Sequence, residues 1–180
     1  MIQNLIQPIE DTAASILNGV AELFGRGGDP LSDPPRDGAV RLPQDLFAQP
    51  DVQTEWWYYT GHCETRTGRE FGFELVFFKR RTDRDKIGVV PMNVVANPMY
   101  FAHFAISDVT ANHFRYEHVR SFGNPLELPV VMSPTACDVQ LGPWSLREVA
   151  GKHVLHATLD DGLTFDAILE PAKPIVLNGD

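Results

Sequence analysis

From residue 55 to residue 170 the chain alternates apolar and polar side chains in short runs that turn residues separate. A period of two places successive side chains on opposite faces of a β-strand. Thr67-Gly68 and Asp161-Gly162 each lie between two such runs and predict hairpin turns. Residues 123–134 carry three prolines and are expected to be irregular. The predicted strands are 55–64, 71–80, 87–90, 100–108, 113–121, 136–141, 144–148, 152–159 and 163–170.

Short connections between these runs favour antiparallel pairing, so the pattern predicts an all-β body. We expect a β-barrel or a strongly curved sheet rather than a sandwich, because several strands are long and consecutive. A barrel of about eight strands can hold one small ligand in its interior. The fold class therefore raises a first functional hypothesis, a container for a small apolar molecule.

The spacing of apolar side chains is different in the part of the chain before the strands. Over residues 8–24 apolar side chains recur at spacings of three and four, which predicts one amphipathic helix that ends at Gly25. Breaker residues dominate from there to Pro50, and no regular element is expected among them. We divide the chain into an N-terminal helical segment at 1–28, a Pro- and Gly-rich linker at 29–50 and a β-domain at 51–180. The helix is expected to pack on the protein itself, with peripheral membrane contact as the alternative.

Composition and the absence of known motifs argue against several classes of function. The 180 residues include 24 acidic and 15 basic side chains, and the net charge of −9 with no basic stripe argues against a nucleic-acid partner. Cys63 and Cys137 do not have zinc-ligand spacing, so two free thiols are expected, with one disulfide as the alternative. The motifs of metalloproteases, phosphate loops and serine hydrolases do not occur. We therefore expect no metal and no cofactor.

The start of the chain bears on its location. Met1-Ile2-Gln3-Asn4 has no basic residue, and Glu10 and Asp11 interrupt the apolar stretch that follows. A secretory signal needs a basic region followed by an uninterrupted apolar one. We expect no signal peptide, and a location in the cytoplasm or at the membrane periphery.

The most unusual stretch is Glu-Trp-Trp-Tyr-Tyr-Thr-Gly-His at 55–62, which places large aromatic side chains on both faces of one strand. Small-molecule sites are commonly lined by aromatic side chains with a few polar groups. The alternative is that both faces are covered as core, one of them by the helix or linker. Together with aromatic side chains of later strands, the candidate ligand-binding residues are Trp56, Trp57, Tyr58, Tyr59, His62, Phe73, Phe77 and Trp144.

Two ionisable residues are candidates for catalysis. Glu55 is followed by bulky aromatics, and a carboxyl group that loses hydration keeps its proton more readily, as a general acid must. His103 lies in the middle of an apolar strand and is expected to be buried and hydrogen-bonded, either as a catalytic group or as a satisfied core histidine. Asp108 closes the same strand and is expected to cap its end.

Several blocks carry a resemblance to a known family. The sequence resembles the AttH/CrtC-type lipocalin-like family, which includes carotenoid 1,2-hydratases and proteins described as secreted hydrolases. The resemblance covers about residues 45–180 and is most specific in its first block. Its blocks are EWWYYTGH at 55–62, FGFELVFFKR at 71–80, FAHFAISD at 101–108, LGPWSL at 141–146 and PAKPIVLNGD at 171–180.

The resemblance implies two lipocalin-like domains in tandem, of which this chain is similar to the first, and an apolar ligand. In the hydratases it implies addition of water to a terminal double bond of an acyclic carotenoid without a cofactor. For that reaction Glu55 would donate the proton, aromatic faces would stabilise the carbocation, and His103 would orient the acid or the water. The alternatives are a carrier of an apolar molecule without turnover, and a structural half that a second lipocalin-like domain or a homodimer completes.

Overall fold

The computed structural model describes residues 40–176 apart from 51, 95, 125 and 175. The helix predicted at 8–24 and the first part of the predicted linker lie outside these residues. Within the described residues eleven strands form. They are β1 (Thr54–Glu64), β2 (Glu70–Arg80), β3 (Lys86–Ile87), β4 (Val90–Pro91), β5 (Met99–Asp108), β6 (His113–Ser121), β7 (Val130–Met132), β8 (Asp138–Leu141), β9 (Trp144–Val149), β10 (Lys152–Thr158) and β11 (Thr164–Leu169).

All strand pairs are antiparallel, which confirms the all-β antiparallel prediction for the described part of the chain. A four-stranded sheet has the order β1-β2-β5-β6, and a five-stranded sheet has the order β11-β10-β9-β8-β7. β3 and β4 form a separate two-stranded ribbon. The ribbon lies between β2 and β5 in sequence. Apart from it, strands that pair within a sheet follow one another along the chain.

The inner faces of the two sheets share one core. Alternation directs Leu75, Phe77 and Phe104 of the four-stranded sheet inward, where they are fully buried. The ring of Phe104 contacts Trp144 and Phe165 of the other sheet, with centroids 6.2 and 5.2 Å apart. Val139, Leu141, Leu146 and Leu155 complete the buried face of the five-stranded sheet.

The strand pairing corrects part of the predicted architecture. Among the described residues no strand of the four-stranded sheet pairs with a strand of the five-stranded sheet, so a single closed barrel is wrong for this part of the chain. Alternation specifies which side chains face a core, but it does not specify whether two sheet edges pair with each other. β7 is a second correction, because it lies in the stretch expected to be irregular. It is an edge strand that follows Pro129, a position where proline is tolerated.

The predicted linker also contains regular structure. Gln44–Leu46 form a short 3-10 helix, and the indole of Trp57 donates a hydrogen bond to the Leu46 carbonyl oxygen at 2.9 Å. Ala48 is buried in the core. The end of this segment is therefore part of the folded body, which a pattern of breaker residues does not reveal.

Other expectations from sequence are confirmed. Gly68 and Gly162 have φ values of 79° and 85° in the two predicted hairpin turns. Asp108 accepts a hydrogen bond from the backbone N–H of Ala111 at 2.9 Å, as expected of a strand-end cap. Cys63 and Cys137 are free thiols.

In the described part of the chain, none of the helices has the length and apolar character needed to cross a membrane.

Candidate functional site

β1 presents aromatic side chains on both of its faces, and the two faces have different environments. Trp57 is buried and Tyr59 half-buried against the five-stranded sheet. Trp56 and Tyr58 point the other way and remain 60% and 52% exposed in the described structure. The structure thus identifies the inward face of this strand, which alternation alone left open.

The inward aromatics belong to the packed core. Trp57, Phe73, Phe77 and Trp144 are members of the buried cluster, and Tyr59 packs against it. The Trp144 indole donates a hydrogen bond to the Thr158 carbonyl oxygen at 2.8 Å. These five predicted ligand-binding residues are therefore separated from Trp56, Tyr58 and His62, which lie on the outer side of the same sheet.

The outer side of the four-stranded sheet is rich in aromatic and imidazole groups. Strand register aligns its side chains in rows across β1, β2, β5 and β6. Phe114 and Tyr116 of β6 are 63% and 53% exposed. We name this surface the outer aromatic face and define it by Trp56, Tyr58, Thr60, His62, Glu74, Val76, Phe78, Phe101, His103, Ala105, Ser107, Phe114, Tyr116 and His118.

A groove of about 360 Å³ runs across this face. Small residues form its floor, because Gly72 and Ala105 occupy the central strands between larger neighbours. Its walls combine aromatic rings with a few polar groups, which is the usual composition of a small-molecule site. The wall residues are Thr60, His62, Glu74, Ser107, Phe114 and Tyr116.

His103 lies on the outer aromatic face among rings. Its imidazole centroid is 5.6 Å from that of Phe78, 5.9 Å from that of Tyr116 and 6.4 Å from that of His118. Partial burial lowers the pKa of His103, His118 lowers it further, and Glu74 opposes both effects. The prediction that His103 is buried in the core is wrong, because Ala102 and Phe104 occupy the inward positions on either side of it.

Glu55 lies on the inner side of the sheet and is held by several polar groups. The Lys79 ammonium donates to Glu55 Oε2 at 3.0 Å, and the Gln49 backbone N–H donates to both carboxylate oxygens at 2.9 and 3.0 Å. Lys79 also donates to the Gln49 carbonyl oxygen. The Glu55 side chain therefore ties the segment before β1 to β2.

The structure does not bring the two predicted catalytic residues together. Glu55 faces the inner side of the four-stranded sheet and His103 faces the outer side. Sequence analysis missed Glu74, Tyr116 and His118, which share the outer aromatic face with His103. Alternation within 71–80 offered a signal for Glu74, since it lies between the inward Phe73 and Leu75. The cross-strand neighbours in β6 require the register, which sequence did not provide.

Among the described residues, no three His, Cys, Asp or Glu side chains come close enough together to hold a metal ion.

Comparison with known proteins identifies the family. The sequence model of the AttH-like family matches residues 33–180. The chain belongs to the AttH-like family. Membership agrees with the resemblance seen in the sequence and indicates that the two-sheet body of this AttH-like chain is a lipocalin-like domain.

A solved structure supports the same conclusion. The chain is similar to the crystal structure of a protein from Nitrosomonas europaea described as an AttH, with 30% sequence identity and a TM-score of 0.66. The similarity covers 83% of this chain and 43% of that one, so the chain spans about half the length of this structural relative. The search among curated proteins finds no match.

Proposed function

We propose that the outer aromatic face binds an apolar, polyene- or isoprenoid-like molecule and forms one wall of a two-walled site. The observation that carries this proposal is the exposure of Trp56, Tyr58, Phe114 and Tyr116, each more than half exposed, beside a groove of about 360 Å³. Soluble domains rarely leave a contiguous apolar surface of this kind open unless something binds there.

The second wall follows from the shape of the site. A sheet face contacts an elongated ligand from one side only, whereas small-molecule sites bury most of the ligand surface. The structural relative from Nitrosomonas europaea is longer than the matched region, which covers 43% of it. We assign the second wall to a second lipocalin-like domain, with a second copy of this chain as the alternative.

The chemistry we propose is cofactor-independent hydration of an acyclic carotenoid-type double bond. One alkene carbon takes a proton, a water oxygen bonds to the other carbon, and that water returns a proton to the protein. Aromatic faces such as Trp56 and Tyr58 stabilise the intermediate cation. In this proposal His103 accepts the proton from water, and Glu74 in its protonated form supplies one to carbon.

Glu55 remains a predicted general acid, although it does not share a face of the sheet with His103. Both of its oxygens already accept hydrogen bonds, and it lies on the opposite face of the sheet from His103. Comparing Glu55→Gln with Glu74→Gln separates the two proton donors. If a residue donates the proton at the outer aromatic face, its substitution by Gln should abolish product formation without weakening ligand binding. The other substitution should leave product formation in place.

A carrier function is the second candidate. Glu74 is the one carboxylate among the described groove residues, and its Oε2 is 3.5 Å from the Tyr58 hydroxyl. A wall with so few ionisable groups suits binding without turnover, and a fold alone does not decide between the two functions. Formation of a product heavier by one water molecule distinguishes the hydratase from the carrier.

The binding experiment uses lycopene dispersed in detergent micelles and follows quenching of tryptophan fluorescence. Tyr116→Ala removes an exposed ring from the groove, and we expect affinity to fall about tenfold, in line with the loss of one aromatic contact. Ile168→Ala is the matched control, because Ile168 is 70% exposed on the five-stranded sheet. Equal affinity of both variants would contradict the proposal.

A further inference from the structure

A second cavity lies away from the outer aromatic face, at the rim of the core. We name it the rim cavity. It has a volume of about 310 Å³, within the range of small-molecule sites. Residues of the segment before β1, the end of β2, the start of β5 and the end of β7 line it, and it is open to solvent on one side. Its lining residues are Ala48, Pro50, Lys79, Arg81, Asn97, Pro98, Tyr100, Met132 and Pro134.

The charged side chains in the described lining of the rim cavity are both cationic. Lys79 and Arg81 line it, and none of its described lining residues is a carboxylate. Lys79 pairs with Glu55 at 3.0 Å and Arg81 pairs with Asp83 at 2.7 Å, and neither of these two carboxylates is among the described lining residues. The positive ends of both ion pairs therefore border the cavity, which favours an anionic group of a ligand over a cationic one.

Two side chains at the rim cavity each have an N–H or O–H group without a hydrogen-bond partner among the described residues. The Lys79 ammonium has three N–H donors, and within the described residues two of them go to the Gln49 carbonyl oxygen and Glu55. The Tyr100 hydroxyl has no hydrogen-bond partner among the described residues, and burial raises the pKa of Tyr100, so it stays a protonated donor. Both side chains line the same cavity.

The Tyr100 ring is held in position. A Cβ built on Gly123 would lie 3.1 Å from Tyr100 Cε2, so the loop after β6 packs closely against this ring. Gly123 has a φ of 72°, a conformation that favours glycine. A donor on a fixed ring binds with little loss of conformational freedom.

Apart from Asn97, the remaining lining is apolar. It consists of Ala48, Pro50, Pro98, Met132 and Pro134. We infer that the rim cavity binds a small amphiphilic carboxylate, such as a medium-chain fatty acid. Lys79 and Tyr100 donate to the carboxylate, and the prolines and Met132 contact the alkyl chain. This site is independent of the ligand proposed for the outer aromatic face.

The test titrates octanoate into uniformly ¹⁵N-labelled protein and follows backbone amide shifts, with octylamine and octanol as probes of the same length. We expect saturable binding of octanoate with shifts at Asn97, Tyr100 and Met132, at least tenfold weaker binding of octanol, and no binding of protonated octylamine. Octylamine binding as tight as octanoate binding would overturn the anionic assignment, and absence of octanoate binding would overturn the site.

Two variants locate the binding. Tyr100→Phe keeps the ring and removes the hydroxyl donor, and we expect about tenfold weaker octanoate binding, the size of a lost hydrogen bond to a charged group. Met132→Trp fills the cavity and is expected to abolish binding. Tyr116→Ala on the outer aromatic face is the control and should bind octanoate as the parent does. Thermal unfolding of each variant verifies folding, and unchanged affinity in both folded variants would overturn the proposal.

Discussion

His103 has a protonation equilibrium that depends on its neighbours on the outer aromatic face. Partial burial and His118 lower the pKa of His103 from its ordinary value of 6.5, against the effect of Glu74. The folded protein therefore binds this proton less tightly than the unfolded chain does. The free energy of unfolding should fall as pH decreases through that ordinary value and on to the lower pKa of the folded state.

We predict that His103→Gln removes part of this pH dependence. Urea unfolding at pH 7.5 and pH 5.5 gives the difference in unfolding free energy for the parent and the variant. The difference should be smaller in His103→Gln, because glutamine does not titrate. A difference of equal size in both proteins would contradict the assignment.

Glu55 leads to a second prediction for a single residue. Glu55→Gln leaves the buried Lys79 ammonium without its carboxylate, and breaking a buried ion pair costs about 3 kcal/mol of unfolding free energy. Glu70→Gln is the control, because Glu70 is an exposed β2 residue and should change stability by less than about 0.5 kcal/mol. Chemical denaturation measures both, and similar stabilities for the two variants would show that the Glu55 tie contributes little.

The β1–β2 hairpin depends on close packing at one glycine. A Cβ on Gly61 would lie 2.9 Å from Phe73 Cε1, and the Phe73 ring packs on Phe165 with centroids 4.8 Å apart. We predict that Gly61→Ala lowers the unfolding free energy by about 1–2 kcal/mol, since the ring has to move within a packed core.

Gly72 offers a matched comparison in the neighbouring strand. The nearest atoms to a Cβ on Gly72 are 3.9 Å away, an ordinary van der Waals distance. Gly72→Ala should therefore be neutral or slightly stabilising, because alanine loses less backbone entropy than glycine. If thermal unfolding shows the same loss for both variants, packing against Phe73 is not the cause.

Elements of this chain differ in how far sequence predicts them. Long alternating runs joined by Thr67-Gly68 or Asp161-Gly162 fix both the strands and the turn between them. β7 has three residues and the 3-10 helix at Gln44–Leu46 also has three, so neither is long enough to show a period. Their positions depend on tertiary contacts, such as the hydrogen bond from the Trp57 indole to Leu46.

The candidate site was predictable only in part, because its residues come together through tertiary contacts and strand register. Alternation separates Trp56 and Tyr58 from Trp57 and Tyr59, but it does not show which pair faces the core. The ion pair between Glu55 and Lys79 depends on the register that places these residues opposite each other in β1 and β2. Pairing across β5 and β6 likewise brings His103 beside His118.

At the scale of the whole molecule, the outer aromatic face leaves a large apolar surface uncovered by the described residues. We predict that the chain associates with increasing concentration in sedimentation velocity experiments, because apolar surface is buried when two such faces meet. Tyr116→Lys should weaken this association, and Ile168→Lys on the other sheet should not. A monomer over the whole concentration range would favour a second domain over a second copy as the missing wall.

The order of strands has a consequence for how the chain can be divided. Every strand of the four-stranded sheet precedes β7 in sequence, and every strand of the five-stranded sheet follows β6. Hydrogen bonds between strands therefore form within each half, while side chains such as Phe104 and Trp144 pack between the halves. Two polypeptides that result from a cut in the loop between β6 and β7 should reassemble into the native domain when mixed, joined by the core and by polar contacts such as the ion pair between Arg115 and Asp161.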